Sequence, residues 1–256
     1  MTKVYHLAGL PRSGGTWLGL VLNQNPKFYV TKPLSLFSEI LWRNYSLWED
    51  IWYEGDLMNW EVQTLKIPYL QKLTTLYFEH LTDCSTIIDN RREWATFTNI
   101  RMCEEVFGEL PKIICMVRNV EEIAASYTKI YERSDRYLDE DTFLEGRLFD
   151  WPYNHLKEVY FSKYKECLYF VDYNDLVNDT DTVLDGIYDF IGEPRYKHNV
   201  DDIEASDPFP HMDISFNLKG LHKTDAGLVK SQTDARDILT NEQFLRFEKL
   251  SFWRNV

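Results

Sequence analysis

Five short apolar segments recur along the chain, separated by longer stretches in which apolar residues return every three or four positions. The short segments are predicted to be buried strands at residues 4–10, 28–31, 86–89, 112–117 and 167–172. Strands that alternate with helices in this way are typical of a parallel sheet covered by helices on both faces. The pattern therefore predicts an α/β fold with a parallel sheet of about five strands.

Three of the predicted helices have clear end signals. Residues 181–191 carry one apolar stripe, and Gly192 marks the end of that helix. A second helix is predicted to begin with Asn119 as its N-cap and Glu122 as the reciprocal partner. A third opens at Thr240, close to the end of the chain.

Two stretches depart from the simple alternation, and we predict that they are helical insertions in a single domain covering residues 1–256. Residues 34–83 are rich in tryptophan and tyrosine, and residues 131–166 mix aromatic with charged side chains. These aromatic residues suit a helical core and the wall of a binding site equally well. The chain shows no internal repeat or low-complexity linker that would mark a second domain.

The net charge limits the partners that the protein can have. The chain has 28 Lys and Arg residues against 41 Asp and Glu, a formal net charge of −13. Such a chain has no general affinity for nucleic acid and is repelled by anionic membranes. Any anionic ligand must therefore be held by a local cluster of cations.

The cysteines and the apolar runs favour an intracellular protein. No two cysteines have C-x-x-C spacing, and two of them fall within predicted strands, which fits buried thiols in a reducing compartment. The four cysteines are Cys84, Cys103, Cys115 and Cys167. The N-terminus has no basic and apolar signal segment, and no apolar run reaches membrane length. We therefore expect a cytoplasmic protein without a membrane span.

The segment between residues 9 and 16, GLPRSGGT, is the most informative in the chain. It places glycines between the first predicted strand and an apolar helix. Glycine adopts backbone conformations that a Cβ atom forbids, so such a loop can point successive N–H groups at phosphate oxygens. The positive end of the helix dipole strengthens this effect. We predict an anion-binding loop, although a tight strand-to-helix connection would have the same composition.

This loop has the spacing of the NTPase P-loop, G-x-x-x-x-G-K-[ST], with one chemical difference. Gly9, Gly14 and Thr16 keep the spacing, whereas Gly15 replaces the lysine. A kinase needs that lysine on the β- and γ-phosphates and a magnesium ion beside it. Arg12 supplies a cation within the loop instead. We therefore predict a phosphate site without a triphosphate, and no metal.

A second set of motifs follows the fourth predicted strand. That strand ends in Arg118, and Ser126 lies eight residues further on. With PRSGGTW after the first strand, these residues resemble the PAPS-dependent sulfotransferases (PAPS, 3′-phosphoadenosine 5′-phosphosulfate), most closely those of bacteria and phages. The resemblance covers residues 4–195 in outline and implies the sulfotransferase form of the P-loop nucleotide-kinase-like fold. Further similar segments lie at residues 89–94, 172–176 and 188–194.

The resemblance implies transfer of the sulfuryl group from PAPS to an acceptor, with PAP as the product. The first loop would enclose the 5′-phosphosulfate, and the arginine and serine of the second set would bind the 3′-phosphate. Trp17 would stack on the adenine and Tyr173 would touch the nucleoside. The loop residues are Arg12, Ser13, Gly14, Gly15 and Thr16, and the 3′-phosphate pair is Arg118 and Ser126.

Arg12 is also predicted to be catalytic, because a guanidinium group can stabilise negative charge that develops on the bridging oxygen. Two of the other assignments have structural alternatives. For Arg118 the alternative is a surface ion pair with Glu121 or Glu122, and the spacing to Ser126 favours the phosphate role over it. For Trp17 the alternative to adenine stacking is simple core packing.

The general base is not apparent from the motifs. The family has a histidine after strand three or a glutamate after strand two, and this chain has neither. Asp89, at the end of strand three, is our first candidate, and Arg91 and Arg92 beside it are expected to lower its pKa. A purely structural carboxylate is an equally good interpretation of Asp89.

A basic segment near the C-terminus offers a second set of candidates. His222 is the other possible base. The family often closes a basic loop over the 3′-phosphate, and Lys219 or Lys223 would serve there.

The acceptor stays open between the hydroxyls of small molecules, glycans and peptides. Two other functions are compatible with the motifs: a P-loop kinase of nucleotides or small molecules, and a non-catalytic PAP- or PAPS-binding module. We expect no nucleic-acid partner. The motifs carry no information on oligomeric state.

Overall fold

The computed structural model of the protein describes residues 3–33, 35–54, 59–204, 218 and 234–254. Its centre is a sheet of five strands in the order β2-β3-β1-β4-β5, and every neighbouring pair is parallel. All five strands predicted from the apolar segments are present, and this confirms the predicted α/β class. The strands are β1 (Lys3–Gly9), β2 (Phe28–Val30), β3 (Thr86–Asn90), β4 (Ile113–Val117) and β5 (Leu168–Asp172).

Helices cover both faces of the sheet. The three helices with clear signals are present as α5, α9 and α10, and Gly192 ends α9 in the left-handed conformation with φ 77°. The aromatic stretch at 34–83 includes α2 and α3, and the stretch at 131–166 includes α6 and α7. The helices are α1 (Gly15–Leu22), α2 (Phe37–Glu54), α3 (Asn59–Glu79), α4 (Phe97–Phe107), α5 (Val120–Arg133), α6 (Glu140–Leu144), α7 (Asp150–Tyr160), α8 (Tyr173–Asn178), α9 (Thr180–Ile191) and α10 (Asn241–Glu248).

Short 3₁₀ helices complete the described structure. They lie at Arg92–Ala95, Lys163–Cys167, Ala235–Asp237 and Phe252–Arg254. The first of them follows β3 directly and takes part in the site described below. Within the described ranges, no helix has both the length and the apolar character that crossing a bilayer requires.

Alternating side chains along the strands form two core layers. Leu7, Ile88 and Ile114 pack with residues of α1 and α9, whereas Ala8 and Ile87 face the opposite layer, which contains residues of α4 and α5. Burying one leucine or isoleucine side chain contributes about 1.5–3 kcal/mol relative to exposure. A slip of one residue would turn each strand's apolar side chains into the wrong layer, so the two layers fix the register and therefore where each strand ends.

The end of β1 passes very close to the backbone of β4. Gly9 has φ 132°, and a Cβ atom built on it would lie 2.1 Å from the Met116 carbonyl oxygen. The N–H of Leu10 donates to that same oxygen at 2.8 Å. Only glycine therefore allows the chain to stay within hydrogen-bonding distance of β4 as it enters the loop.

Gly9→Ala should lower the free energy of unfolding more than Gly108→Ala does, as measured by denaturant titration. Gly108 also has a positive φ, 74°, but a Cβ atom there would have no other atom within 4 Å. Gly108→Ala should therefore lower the free energy of unfolding only by the cost of the left-handed conformation, about 1–2 kcal/mol. Gly9→Ala adds the clash with β4. Equal losses in the two variants would show that this close approach does not constrain the fold.

Candidate active site

The loop after β1 has the backbone of an anion cradle. Arg12 and Gly14 have positive φ angles of 58° and 90°, so the backbone leaves the usual negative-φ conformation at two positions before α1 begins. The first N–H groups of a helix have no partner inside that helix and are available to an anion. Gly14 stands at the N-cap of α1 and provides no side-chain cap that would occupy them.

Ser13 holds this loop from the inside. Its hydroxyl lies 2.6 Å from the Leu10 carbonyl oxygen and 3.2 Å from that of Met116, and its side chain is buried. The loop is therefore tied to β4 by a side chain that faces the core. What Ser13 can offer an anion is its backbone N–H, because its hydroxyl is engaged in these contacts.

A hydrogen bond joins the two predicted half-sites. Arg12 Nε donates to Ser126 Oγ, on α5, at 3.2 Å. Arg118 Nη1 donates to the Arg12 carbonyl oxygen at 3.3 Å. The structure thus brings Arg12 into contact with Arg118 and Ser126, which lie 106 and 114 positions further along the chain.

Arg118 is held by three groups around its guanidinium. Its Nε donates to Glu122 Oε2 at 2.8 Å, so the ion pair considered as an alternative is present. Its Cζ lies 4.3 Å from the centroid of the Tyr173 ring. Tyr173 also packs on the loop, because a Cβ atom built on Gly14 would lie 3.1 Å from the tyrosine Cδ2. Tyr173 thus contacts both half-sites.

Glu122 is fully engaged as a carboxylate. Burial alone would raise its pKa, but hydrogen bonds from Arg118, Asn174 and Asn119 lower the pKa overall. The Asn119 amide donates to Glu122 Oε1 at 2.8 Å and caps no backbone N–H of α5, so the predicted N-cap interaction of Asn119 is wrong. The carboxylate offsets part of the charge of Arg118 and fixes its orientation.

Several positive charges converge on Arg12. Burial lowers the pKa of Arg12, Tyr127 acts in the opposite direction, and the charges of Arg118, Arg133 and Arg92 lower it further. An arginine in a protein keeps its charge, so these groups repel one another in a half-buried environment. A bound anion would offset that repulsion. The site therefore fits the phosphate and sulfate groups implied by the motifs.

The strand order arranges three of these arginines along one edge of the sheet. Arg92 follows β3, Arg12 follows β1 and Arg118 follows β4, and β1 lies between β3 and β4. Ligands of open parallel sheets bind at this carboxyl edge. Arg12 is therefore central, with one arginine on either side. The prediction from sequence omitted Arg92 and Tyr127 from the site. Arg92 lies just after a strand, within the segment 89–94 that resembles the family, whereas the only signal for Tyr127 was its position beside Ser126.

The other predicted binding residues fall in three groups. Trp17 is only 6% exposed and packs in the core beside α9, which supports the packing alternative considered for it. Gly15 and Thr16, in the first turn of α1, are half-buried at the mouth of the loop. Lys219, His222 and Lys223 lie outside the described residues.

Asp89 is enclosed in the core. Its side chain is 0% exposed, Trp94 Nε1 donates to Oδ2 at 2.7 Å, and Thr31 Oγ1 donates to Oδ1 at 3.0 Å. Burial raises its pKa, and this outweighs the lowering by its hydrogen bonds and by Arg91. Arg91 lowers the pKa of Asp89 as predicted, but the predicted net lowering is wrong because burial outweighs this effect. Both oxygens are occupied, which favours the structural interpretation over the catalytic one.

No described part of the chain brings together three or more His, Cys, Asp or Glu side chains that could hold a metal ion. The four cysteines, three of them buried, are all free thiols.

Asp89 gives a pH-dependent stability with a defined sign. Because its folded-state pKa is raised, the folded protein binds the proton more tightly than the unfolded chain does. The stability of the wild type relative to Asp89→Asn should therefore be greatest at low pH and fall as pH rises from the unfolded to the folded pKa. Urea titrations of both proteins across this range measure the difference. A difference that grows with pH would contradict the pKa shift.

Comparison with known proteins identifies a family and a shared fold. The model of the sulfotransferase domain family matches residues 5–250. Among solved structures, the sulfotransferase domain of the Synechococcus PCC 7002 olefin synthase aligns with a TM-score of 0.52 at 15% identity, over 97% of this chain and 94% of that one. A sulfotransferase from Alicyclobacillus acidocaldarius aligns with a TM-score of 0.52 at 13% identity, over 84% and 90% of the two chains.

A third structure, mouse sulfotransferase SULT7A1 complexed with PAP, aligns with a TM-score of 0.50 at 16% identity, over 97% of this chain and 82% of the mouse chain. No curated protein sequence matches significantly. At these identities the solved structures show a common fold, and the family match covers nearly the whole chain. The protein belongs to the sulfotransferase domain family.

Proposed function

We propose that this protein transfers the sulfuryl group of PAPS to a hydroxyl group of an acceptor. The observation that carries the proposal is the hydrogen bond from Arg12 to Ser126, which joins a glycine loop to a second phosphate half-site. PAPS has anionic groups at both its 5′ and 3′ positions and needs two such half-sites. The related mouse structure holds PAP, the product that PAPS leaves after transfer.

Each anionic group has its own cation in this proposal. Arg118 and Ser126 bind the 3′-phosphate, and the backbone of residues 12–16 with the Arg12 guanidinium binds the 5′-phosphosulfate. A hydrogen bond between charged groups contributes about 1.5–3 kcal/mol. The buried pair of Arg118 with Glu122 keeps that guanidinium in a fixed orientation, so little side-chain entropy is lost on binding.

Arg12 has the principal catalytic role. During transfer, the bond between sulfur and the bridging oxygen breaks, and negative charge grows on the 5′-phosphate. A guanidinium donating to that oxygen stabilises the transition state more than the ground state, which is the condition for rate acceleration. Arg12 is suited to this because the surrounding Arg118, Arg133 and Arg92 raise the local positive potential.

The base that accepts the hydroxyl proton is not Asp89 in this proposal. Its carboxylate is enclosed and doubly hydrogen-bonded, so it does not contact the solvent side of the sheet edge. His222 remains the candidate base, and Lys219 or Lys223 the candidate cations over the 3′-phosphate. The proposal is compatible with small-molecule, glycan and peptide acceptors. We also propose that the enzyme acts in the cytoplasm.

PAP should raise the melting temperature of the protein in the absence of any divalent metal. A ligand that binds only the folded state stabilises it by RT ln(1 + [L]/Kd), about 2.7 kcal/mol at a hundredfold excess over Kd. Thermal unfolding with PAP, in buffer with a chelator, measures this effect. ATP with magnesium is the control ligand, because Gly15 replaces the lysine that a kinase uses.

Two outcomes would contradict the proposal: no stabilisation by PAP, or hydrolysis and transfer of ATP phosphate at a catalytic rate. A third result separates an enzyme from a binding module. If PAP binds but PAPS is not consumed with any of a broad panel of hydroxyl acceptors, the protein is a PAP- or PAPS-binding module.

A further inference from the structure

Arg92 differs from every other arginine of the site in having no assigned partner. It begins the 3₁₀ helix after β3, is half-buried, and forms no ion pair or hydrogen bond with another described residue. Its charge nevertheless acts on Arg12 and on the buried Tyr127. A half-buried cation next to other cations is costly unless an anion binds it. The arrangement therefore points to a ligand group.

Its neighbour Arg91 shows the contrast. Arg91 lies 2.9 Å from a carboxylate oxygen of Glu93 and 3.9 Å from one of Glu39, and its Nη1 donates to the Ser35 carbonyl oxygen at 2.5 Å. The two consecutive arginines thus have different environments. Arg91 joins β3 to α2 and the segment before it, whereas the charge of Arg92 acts on Arg12 and Tyr127.

The backbone that carries Arg92 is fixed at both sides. The N–H of Arg91 donates to the Leu7 carbonyl oxygen at 2.9 Å. Two residues after Arg92, the Trp94 indole donates to Asp89 and lies against the His6 ring, with the ring centroids 3.9 Å apart. Trp94 and His6 are buried, so this 3₁₀ helix is anchored in the core. The enclosed Asp89 therefore positions the 3₁₀ helix that carries Arg92.

We propose that Arg92 binds the sulfuryl group of PAPS, which is the group that is transferred. This inference rests on the proposed function. Arg92 lies on the side of Arg12 opposite to Arg118, because β1 separates β3 from β4. With the 3′-phosphate on Arg118 and the 5′-phosphate on Arg12, the sulfuryl oxygens are the anionic atoms nearest to Arg92.

The role of Arg92 in the reaction is electrostatic. The bond from sulfur to the bridging oxygen breaks, the bond from sulfur to the acceptor oxygen forms, and the hydroxyl proton leaves to a base. Arg92 keeps all its protons and donates hydrogen bonds to the sulfuryl oxygens throughout. Its contact with PAPS is therefore absent from PAP, which lacks the sulfuryl group.

This difference gives a test that does not require the acceptor. The affinities of PAPS and PAP are measured by titration calorimetry for the wild type, Arg92→Gln and the matched control Arg91→Gln. Loss of positive charge weakens both ligands through the general potential, so the PAPS-to-PAP affinity ratio isolates the sulfuryl contact. Arg92→Gln should lower that ratio by about tenfold, the effect of one charge-assisted hydrogen bond. Arg92→Lys should restore part of the ratio.

Arg91→Gln should leave the ratio unchanged, because its partners are carboxylates and a backbone carbonyl. The inference is overturned if Arg92→Gln binds both ligands with the wild-type ratio while its circular dichroism spectrum matches that of the wild type. That result would assign Arg92 to the acceptor. A wild type that binds neither PAP nor PAPS would instead refute the proposed function, so the two failures are distinguishable.

Discussion

The repulsion among positive charges at one edge of the sheet is the constraint on which this site depends. The chain carries a net charge of −13, yet Arg12, Arg92 and Arg118 come together where β1, β3 and β4 end. Each arginine is at least half-buried, so water screens their repulsion less than it would at the surface. A ligand with several anionic groups relieves this repulsion. Selectivity for such a ligand is therefore built into the fold, even in an acidic protein.

The surrounding structure holds those charges in place. Gly9 lets the loop approach β4, Ser13 ties the loop to the same strand, and Glu122 fixes Arg118. At the end of β3, the hydrogen bond between Trp94 and Asp89 anchors the 3₁₀ helix that begins at Arg92. These are mostly buried polar contacts whose individual loss leaves a donor or an acceptor unsatisfied. Rigid support of this kind reduces the entropy lost when a ligand is bound.

Local pattern was sufficient to predict the strands and the loop. The five strands are short apolar runs in a parallel sheet that is buried on both faces, so their composition alone identifies them. The GLPRSGGT loop is recognisable because glycine spacing reports backbone conformation directly. The family resemblance assigned Arg12 and Ser126 to two halves of one site, but their direct hydrogen bond across 114 positions was not predicted.

Long-range packing decided what the sequence could not show. Asp89 was our first candidate base because it lies at the carboxyl end of a strand, but its environment is set by His6, its register partner in β1, and by Trp94. Burial then determines the direction of its pKa shift. The difference between Arg91 and Arg92 is likewise invisible in a sequence that presents them as identical neighbours, because it depends on where the carboxylates of other elements lie.

Binding of PAP and of adenosine 5′-phosphosulfate, compared between the wild type and Arg118→Ala, tests the central claim most directly. The account predicts that the variant loses about tenfold or more in affinity for PAP and little for adenosine 5′-phosphosulfate, which has no 3′-phosphate. Equal losses for both ligands in Arg118→Ala would contradict the assignment of one cation to each anionic group.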